Sequence, residues 1–125
     1  MKAGQLIPVL RIFDESKARE FYVAFLEFSI DWEHRLEDNF SIYMQISKDD
    51  CSIHLSEHHA DACPGSSMLI KTKGVEEYQK ILIKKKYKYY RPGIEKIPWN
   101  SKDMTVQDPF GNRITFTEQK ASMAQ

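Results

Sequence analysis

Between Cys51 and Ser56 apolar and polar side chains alternate without a break, Ile53 and Leu55 set against Ser52, His54 and Ser56. A period of two marks a strand with one face in a core and the other open. His54 falls on the open face, just before the titratable run Glu57-His58-His59, and is the first candidate for site chemistry. Cys51 shares the parity of Ile53 and Leu55 and reads as a small core hydrophobe.

The same reading extends both ways along the chain. Leu6 to Phe13 reads as a strand, and Asp14 is placed to cap a helix in which Ala18, Phe21, Tyr22, Phe25 and Leu26 follow amphipathic spacing. Strands are predicted from Ser29 to Leu36, Phe40 to Ser47 and Cys51 to Ser56, separated by the turn-forming Glu37-Asp38-Asn39 and Lys48-Asp49-Asp50. Small and turn-prone residues from Ala60 to Ser66 suit a linker. Beyond it the plan repeats. Ser67 to Thr72 is a strand, Gly74 a break, and Val75, Tyr78, Ile81 and Leu82 mark a helix ending in Lys84-Lys85-Lys86, cations that complement its dipole. Strands follow from Lys88 to Arg91, Ser101 to Gln107 and Arg113 to Thr117, the last two joined by a turn in which Gly111 suits a positive φ. The offset between the halves is about sixty residues, a repeat that implies paired modules. The fold predicted is α+β, with two tandem βαβββ modules at about residues 6–57 and 67–118 and a linker at about 58–66, in a single domain spanning 1–125.

Strand parity also sorts the side chains. Leu10, Ile12, Ile42, Met44, Ile46, Ile53, Leu55, Met68, Ile70, Ile114 and Phe116 form an apolar face suited to cover by helices. Val9, Arg11, Trp32, His34, Tyr43, Gln45, His54, Ser56, Leu69, Lys71 and Thr115 form the opposite, mixed face.

Composition narrows the function. With 42% hydrophobic residues in 125, the chain can bury one substantial core. Basic and acidic residues balance to zero formal charge and are interspersed, so nothing favours nucleic acid or an anionic membrane surface. No apolar run of this sequence approaches a bilayer's thickness and none reads as a secretory h-region, so Cys51 and Cys63 are expected as free thiols in a cytoplasmic protein.

Val9-Leu10-Arg11-Ile12-Phe13-Asp14 leading into Ala18-Arg19-Glu20-Phe21-Tyr22, then Pro98-Trp99, then Asp108-Pro109-Phe110-Gly111-Asn112 before a last strand, resemble the vicinal oxygen chelate superfamily. That group holds glyoxalase I, the bleomycin resistance proteins and the extradiol dioxygenases. The chain is most similar to the bleomycin resistance branch, through Asp31-Trp32-Glu33-His34-Arg35, the segment from His54 to Pro64-Gly65-Ser66, and Arg91-Pro92-Gly93-Ile94-Glu95. The resemblance implies that each module curls its mixed sheet into half of a cup, helices outside and ligand inside. It also implies a homodimer whose clefts form at the subunit boundary, with or without exchanged arms. One departure is Glu27, which stands where members commonly carry Gly at the helix exit.

Metal-dependent members place four ligands on the first and last strand of each module. The matching positions here are Ile7, His54, Ser67 and Thr115, of which only His54 carries a good donor. A catalytic divalent ion needs about three nitrogen, carboxylate or thiolate ligands. No metal and no other cofactor is expected, and an enzyme is disfavoured. The alternatives left open are a lyase, transferase or isomerase using His54 or His34 as a base or irregular metal ligand, and a second cluster at Glu57, His58, His59 and Asp61.

The function expected is non-catalytic sequestration of a small aromatic or heteroaromatic molecule, of the antibiotic resistance kind. The candidate binding residues are Trp32, His34, Tyr43, His54, Trp99 and Arg11, with Trp99 matching the stacking position in the proteins it resembles. Arg11 and Lys71 on the inner face make a neutral or anionic aromatic ligand as consistent as cationic bleomycin.

Overall fold

Asp14 caps the first helix as its place before the apolar stripe requires, its Oδ1 accepting from the Lys17 amide at 3.0 Å. The computed structural model describes residues 1–35, 41–87, 92–97 and 101–119. Helix α1 (Glu15–Arg19) runs directly into a π-helical segment, Glu20–Phe25. The wide turn is closed by the Leu26 amide, which donates to the Phe21 carbonyl at 2.9 Å. Amphipathic spacing predicts a regular α-helix there. The structure widens it, and Phe21, Tyr22, Phe25 and Leu26 are all buried.

Strands β1 (Val9–Arg11), β2 (Ser29–Arg35), β3 (Ile42–Lys48) and β4 (Cys51–Ser56) form a sheet in the order β1-β4-β3-β2. Only the β1–β4 pair is parallel. β1 is shorter than predicted because Pro8 has no amide to donate, although its carbonyl still accepts from the His54 amide at 2.9 Å. Then come β5 (Ser67–Lys71), α2 (Val75–Lys84), β6 (Glu95–Ile97), β7 (Ser101–Gln107) and β8 (Arg113–Gln119), in a second sheet ordered β5-β8-β7-β6. Here the parallel pair is β5–β8. The architecture is α+β, two βαβββ modules in tandem.

The sequence reading omits one strand. The neighbour of β7 is Glu95–Ile97, whose charged Glu95 and Lys96 suit an edge strand but hide the alternation. The strand predicted over Lys88 to Arg91 lies outside the described residues, as do Leu36, Phe40 and the turn Glu37-Asp38-Asn39.

The chain divides into two units, Met1–Ser66 with Pro109–Asn112, and Ser67–Asp108 with Arg113–Gln125. The stretch predicted as a linker packs as part of the first unit. Ser56 Oγ donates to Asp61 Oδ2 at 2.6 Å, and the Ser66 amide donates to Asn112 Oδ1 at 3.1 Å. In the first unit Leu10, Ile12, Ile42, Met44, Ile46, Ile53 and Leu55 are buried on the helix side of the sheet, the face that parity assigned. In the second, Val75 and Leu82 are buried along with Met104, Val106, Ile114 and Phe116, while Met68 and Ile70 are half-buried and Ile81 is exposed. Gly74 starts α2 at φ 80°, and Glu118 Oε1 caps the helix by accepting from the Gly74 and Val75 amides at 3.1 and 3.0 Å.

Glu15 joins α1 to β2 by accepting from Arg19 and Arg35, while Arg19 also bonds Glu33 at 2.7 Å. The Arg35 hydrogen bond, then Arg19, holds the Glu15 carboxyl below the usual carboxylate range despite partial burial. At the helix exit Glu27 takes φ 67°, a left-handed conformation that favours Gly. Glu27→Gly is expected to raise stability by about 1 kcal/mol, read as a higher urea midpoint at unchanged slope.

Candidate functional site

The open face of the first sheet gathers its side chains by register. β4 pairs with β3 at Gln45↔His54 and Tyr43↔Ser56, and with β1 at Val9↔His54 and Arg11↔Ser56. β3 pairs with β2 at His34↔Tyr43 and Trp32↔Gln45. Between Ile30 and Trp32 the register shifts, a bulge that bends the strand and leaves one residue extra. That residue is Asp31. Because of the bulge both Asp31 and Trp32 reach the open face, where alternation alone allows only one of them.

Three rings form the centre. Trp32 stacks on Tyr43 with centroids 6.0 Å apart and planes 10° from parallel. His54 sets its edge against both, at 5.3 Å from Trp32 and 5.2 Å from Tyr43. Trp32 stays 42% exposed, so a face of the cluster is available to a partner.

A line of hydrogen bonds runs through two of the rings, His54 and Tyr43, to Asp31. Gln45 Nε2 donates to Asp31 Oδ2 at 2.9 Å, and Ser47 Oγ donates to Asp31 Oδ1 at 2.9 Å. An ionised carboxylate only accepts, so the Gln45 amide nitrogen must face it and the Gln45 oxygen must face away. That oxygen lies 3.0 Å from His54 Nε2, which therefore carries the ring proton and donates. With the ring proton on Nε2, Nδ1 is the acceptor, and the Tyr43 hydroxyl donates to it at 2.7 Å. Burial, and secondarily the charge of Asp61, pushes the Tyr43 phenol up from its ordinary pKa, so it keeps its proton at neutral pH.

Of the residues singled out from sequence, Trp32, Tyr43 and His54 come together. His34 is beside Tyr43 in register, exposed, with no hydrogen bond or ring contact among the described residues. Arg11 shares the face, but its guanidinium lies 4.5 Å from the Phe13 ring centroid and its Nε donates to the Ile12 carbonyl at 3.2 Å. Trp99, with Pro98, lies outside the described residues. Asp31 and Ser47 are the residues that sequence reasoning missed as site components. The only signal for Asp31 was an acid in the middle of a strand, where it is a poor former.

The four positions that would hold a superfamily metal do not fit one. Ile7 offers an alkyl group, Ser67 and Thr115 offer neutral hydroxyls, and Thr115 Oγ1 is already paired with Thr105 Oγ1 at 2.9 Å. Both His54 nitrogens are engaged as described. Among the described residues no three His, Cys, Asp or Glu side chains gather closely enough to hold an ion. In the Glu57-to-Asp61 stretch, Glu57 Oε1 accepts from the Ile42 amide at 3.0 Å and Asp61 is bound by Ser56.

Two tandem βαβββ modules, each a four-stranded mixed sheet with a helix, are the architecture of vicinal oxygen chelate proteins. The chain belongs to the glyoxalase superfamily: a family model described as glyoxalase superfamily protein matches residues 1–123. Among curated proteins none matches it. Solved structures that share its fold include the following three. A protein assigned to the glyoxalase family from Bacillus anthracis has a TM-score of 0.73 at 18% identity, covering 96% of this chain and 98% of that one. TnmS3, an antibiotic binding protein from Streptomyces sp. CB03234, has a TM-score of 0.72 at 19% identity, covering 96% and 99%. The bleomycin-binding protein of Streptomyces verticillus, complexed with copper(II)-bleomycin, has a TM-score of 0.70 at 22% identity, covering 96% and 99%. No helix among the described residues is long and apolar enough to cross a membrane.

Proposed function

We propose that the protein is a non-catalytic binder of small aromatic or heteroaromatic molecules, of the bleomycin resistance type. The ligand stacks on Trp32 and is oriented by Tyr43, with His34 and Arg11 at the margin. The observation that carries this reading is the ring cluster, braced by the hydrogen bonds of Tyr43 and His54 and still open at Trp32. A preorganised aromatic surface with a few fixed polar atoms is what a flat ligand needs. A general base or metal ligand at His54 requires a free lone pair, and the one on Nδ1 is taken by Tyr43. The antibiotic-binding and bleomycin-binding proteins of the same fold make the same class of function available to this chain.

By its resemblance to that branch, the reading includes a homodimer and a second stacking surface at Trp99. Free Cys51 and Cys63 suit a reducing, cytoplasmic setting. Sedimentation equilibrium tests the dimer, and a monomer at all concentrations removes that part. Titrating intrinsic fluorescence with copper(II)-bleomycin and a panel of planar heteroaromatics tests binding. Trp32→Ala is expected to weaken the best ligand about tenfold, equivalent to about 1.4 kcal/mol of lost stacking. A flat response across the panel sinks the reading.

A further inference from the structure

We propose that Asp31 fixes the direction of the whole Tyr43–His54–Gln45 hydrogen-bond line, so that the site presents acceptors and selects planar ligands with N–H donors or a cationic edge, such as an aromatic amidine. The inference rests on the binding reading above and adds the chemical class of the ligand.

Asp31 receives Gln45 Nε2 at 2.9 Å and Ser47 Oγ at 2.9 Å, and neither contact can be reversed without placing two acceptors together. Each later bond inherits its sense: Gln45 accepts from His54 Nε2, and His54 Nδ1 accepts from Tyr43. The single proton of Tyr43 is thereby spent inward. What its hydroxyl can offer a ligand is lone-pair density, reinforced because bonds aligned head to tail polarise one another. The exposed Trp32 face is also electron-rich and attracts cations. Asp31 is exposed and negative, and Asp61 acts electrostatically on Tyr43. The Arg11 charge that favoured an anionic ligand at the level of sequence is engaged elsewhere: its guanidinium is drawn over Phe13 and its Nε donates to the Ile12 carbonyl.

Asp31 is a positioning residue in this scheme, acting on the ligand through three others. Its test uses two isosteric planar probes of opposite hydrogen-bonding sense, naphthamidine and naphthoate, titrated by calorimetry, together with nitrogen NMR of the His54 ring. Wild type is expected to bind naphthamidine about tenfold more tightly than naphthoate and to show His54 protonated on Nε2 alone. In Asp31→Asn the amide can donate as well as accept, so the preference should fall to about twofold or less and the His54 tautomers should mix. Gln45→Met keeps the Asp31 charge but cuts the line, and it should lose the preference in the same way. Preference retained in Gln45→Met and lost in Asp31→Asn would assign the effect to plain charge and overturn the proposal. Equal binding of both probes to wild type, or an Nδ1–H tautomer, also overturns it while leaving the binding reading intact. If neither probe nor any planar heteroaromatic binds, the reading and the proposal fall together.

Discussion

Replacing Phe21 by Ala is expected to destabilise the first unit by about 3–5 kcal/mol, a large part of what holds a domain of this size folded. The ring is 1% exposed and meets Tyr22 edge-on at 5.0 Å and Phe25 at 5.6 Å. Its position in the π-helical segment matters as much as its size. The wide turn is held by the Leu26 amide on the Phe21 carbonyl, so neighbouring backbone cannot slide inward to fill the space. A cavity that cannot collapse keeps its full cost. Urea denaturation should show a lower midpoint at unchanged slope, and a loss under about 1 kcal/mol would mean that the segment relaxes into the space after all. The site lies on the opposite face of the sheet, so the folded fraction of Phe21→Ala should retain its ligand affinity.

That separation of faces was legible in the chain. The alternation from Cys51 to Ser56 yields β4 with its bounds, Ser101 to Gln107 yields β7, and parity alone sends Ile42, Met44, Ile46, Ile53 and Leu55 to the core. What eluded the pattern is local and geometric. A bulge adds a residue without changing composition, so the β2 run from Ser29 reads as simple alternation. Asp31 then loses its place beside Gln45 and Ser47. The widened turn after Arg19 keeps the apolar spacing of an ordinary helix. β6 is short and charged, as edge strands are, and its Glu95 and Lys96 carry no apolar signal. The turn Pro109–Asn112 looks in the chain like a plain hairpin of the second module. Its membership of the first unit depends on contacts that only the folded chain reveals.

Asn112→Ala tests that last contact, with an expected loss of about 2–4 kcal/mol, the combined cost of two partly buried backbone groups left without partners and of the buried side chain removed. The Asn112 side chain is fully buried, donates through Nδ2 to the Arg11 carbonyl at 2.8 Å, and accepts through Oδ1 from the Ser66 amide at 3.1 Å. Gly111 at φ 90° turns the chain so that the amide can enter, and Phe110 beside it approaches Phe13 with ring centroids 6.1 Å apart. Asn112→Asp is no remedy. It keeps an acceptor for Ser66 but faces the Arg11 carbonyl with an oxygen and buries a charge, so it should destabilise at least as much as Ala. The damage should also reach the site's own sheet, because Arg11 ends β1 and the next amide, Ile12, donates to the Ser56 carbonyl at 2.9 Å. Hydrogen exchange at Ile12 should therefore accelerate in Asn112→Ala more than exchange at Met44 in the middle of β3. Uniform acceleration would show that the turn supports only global stability. Unchanged exchange together with a loss under about 1 kcal/mol would show that it does not anchor β1.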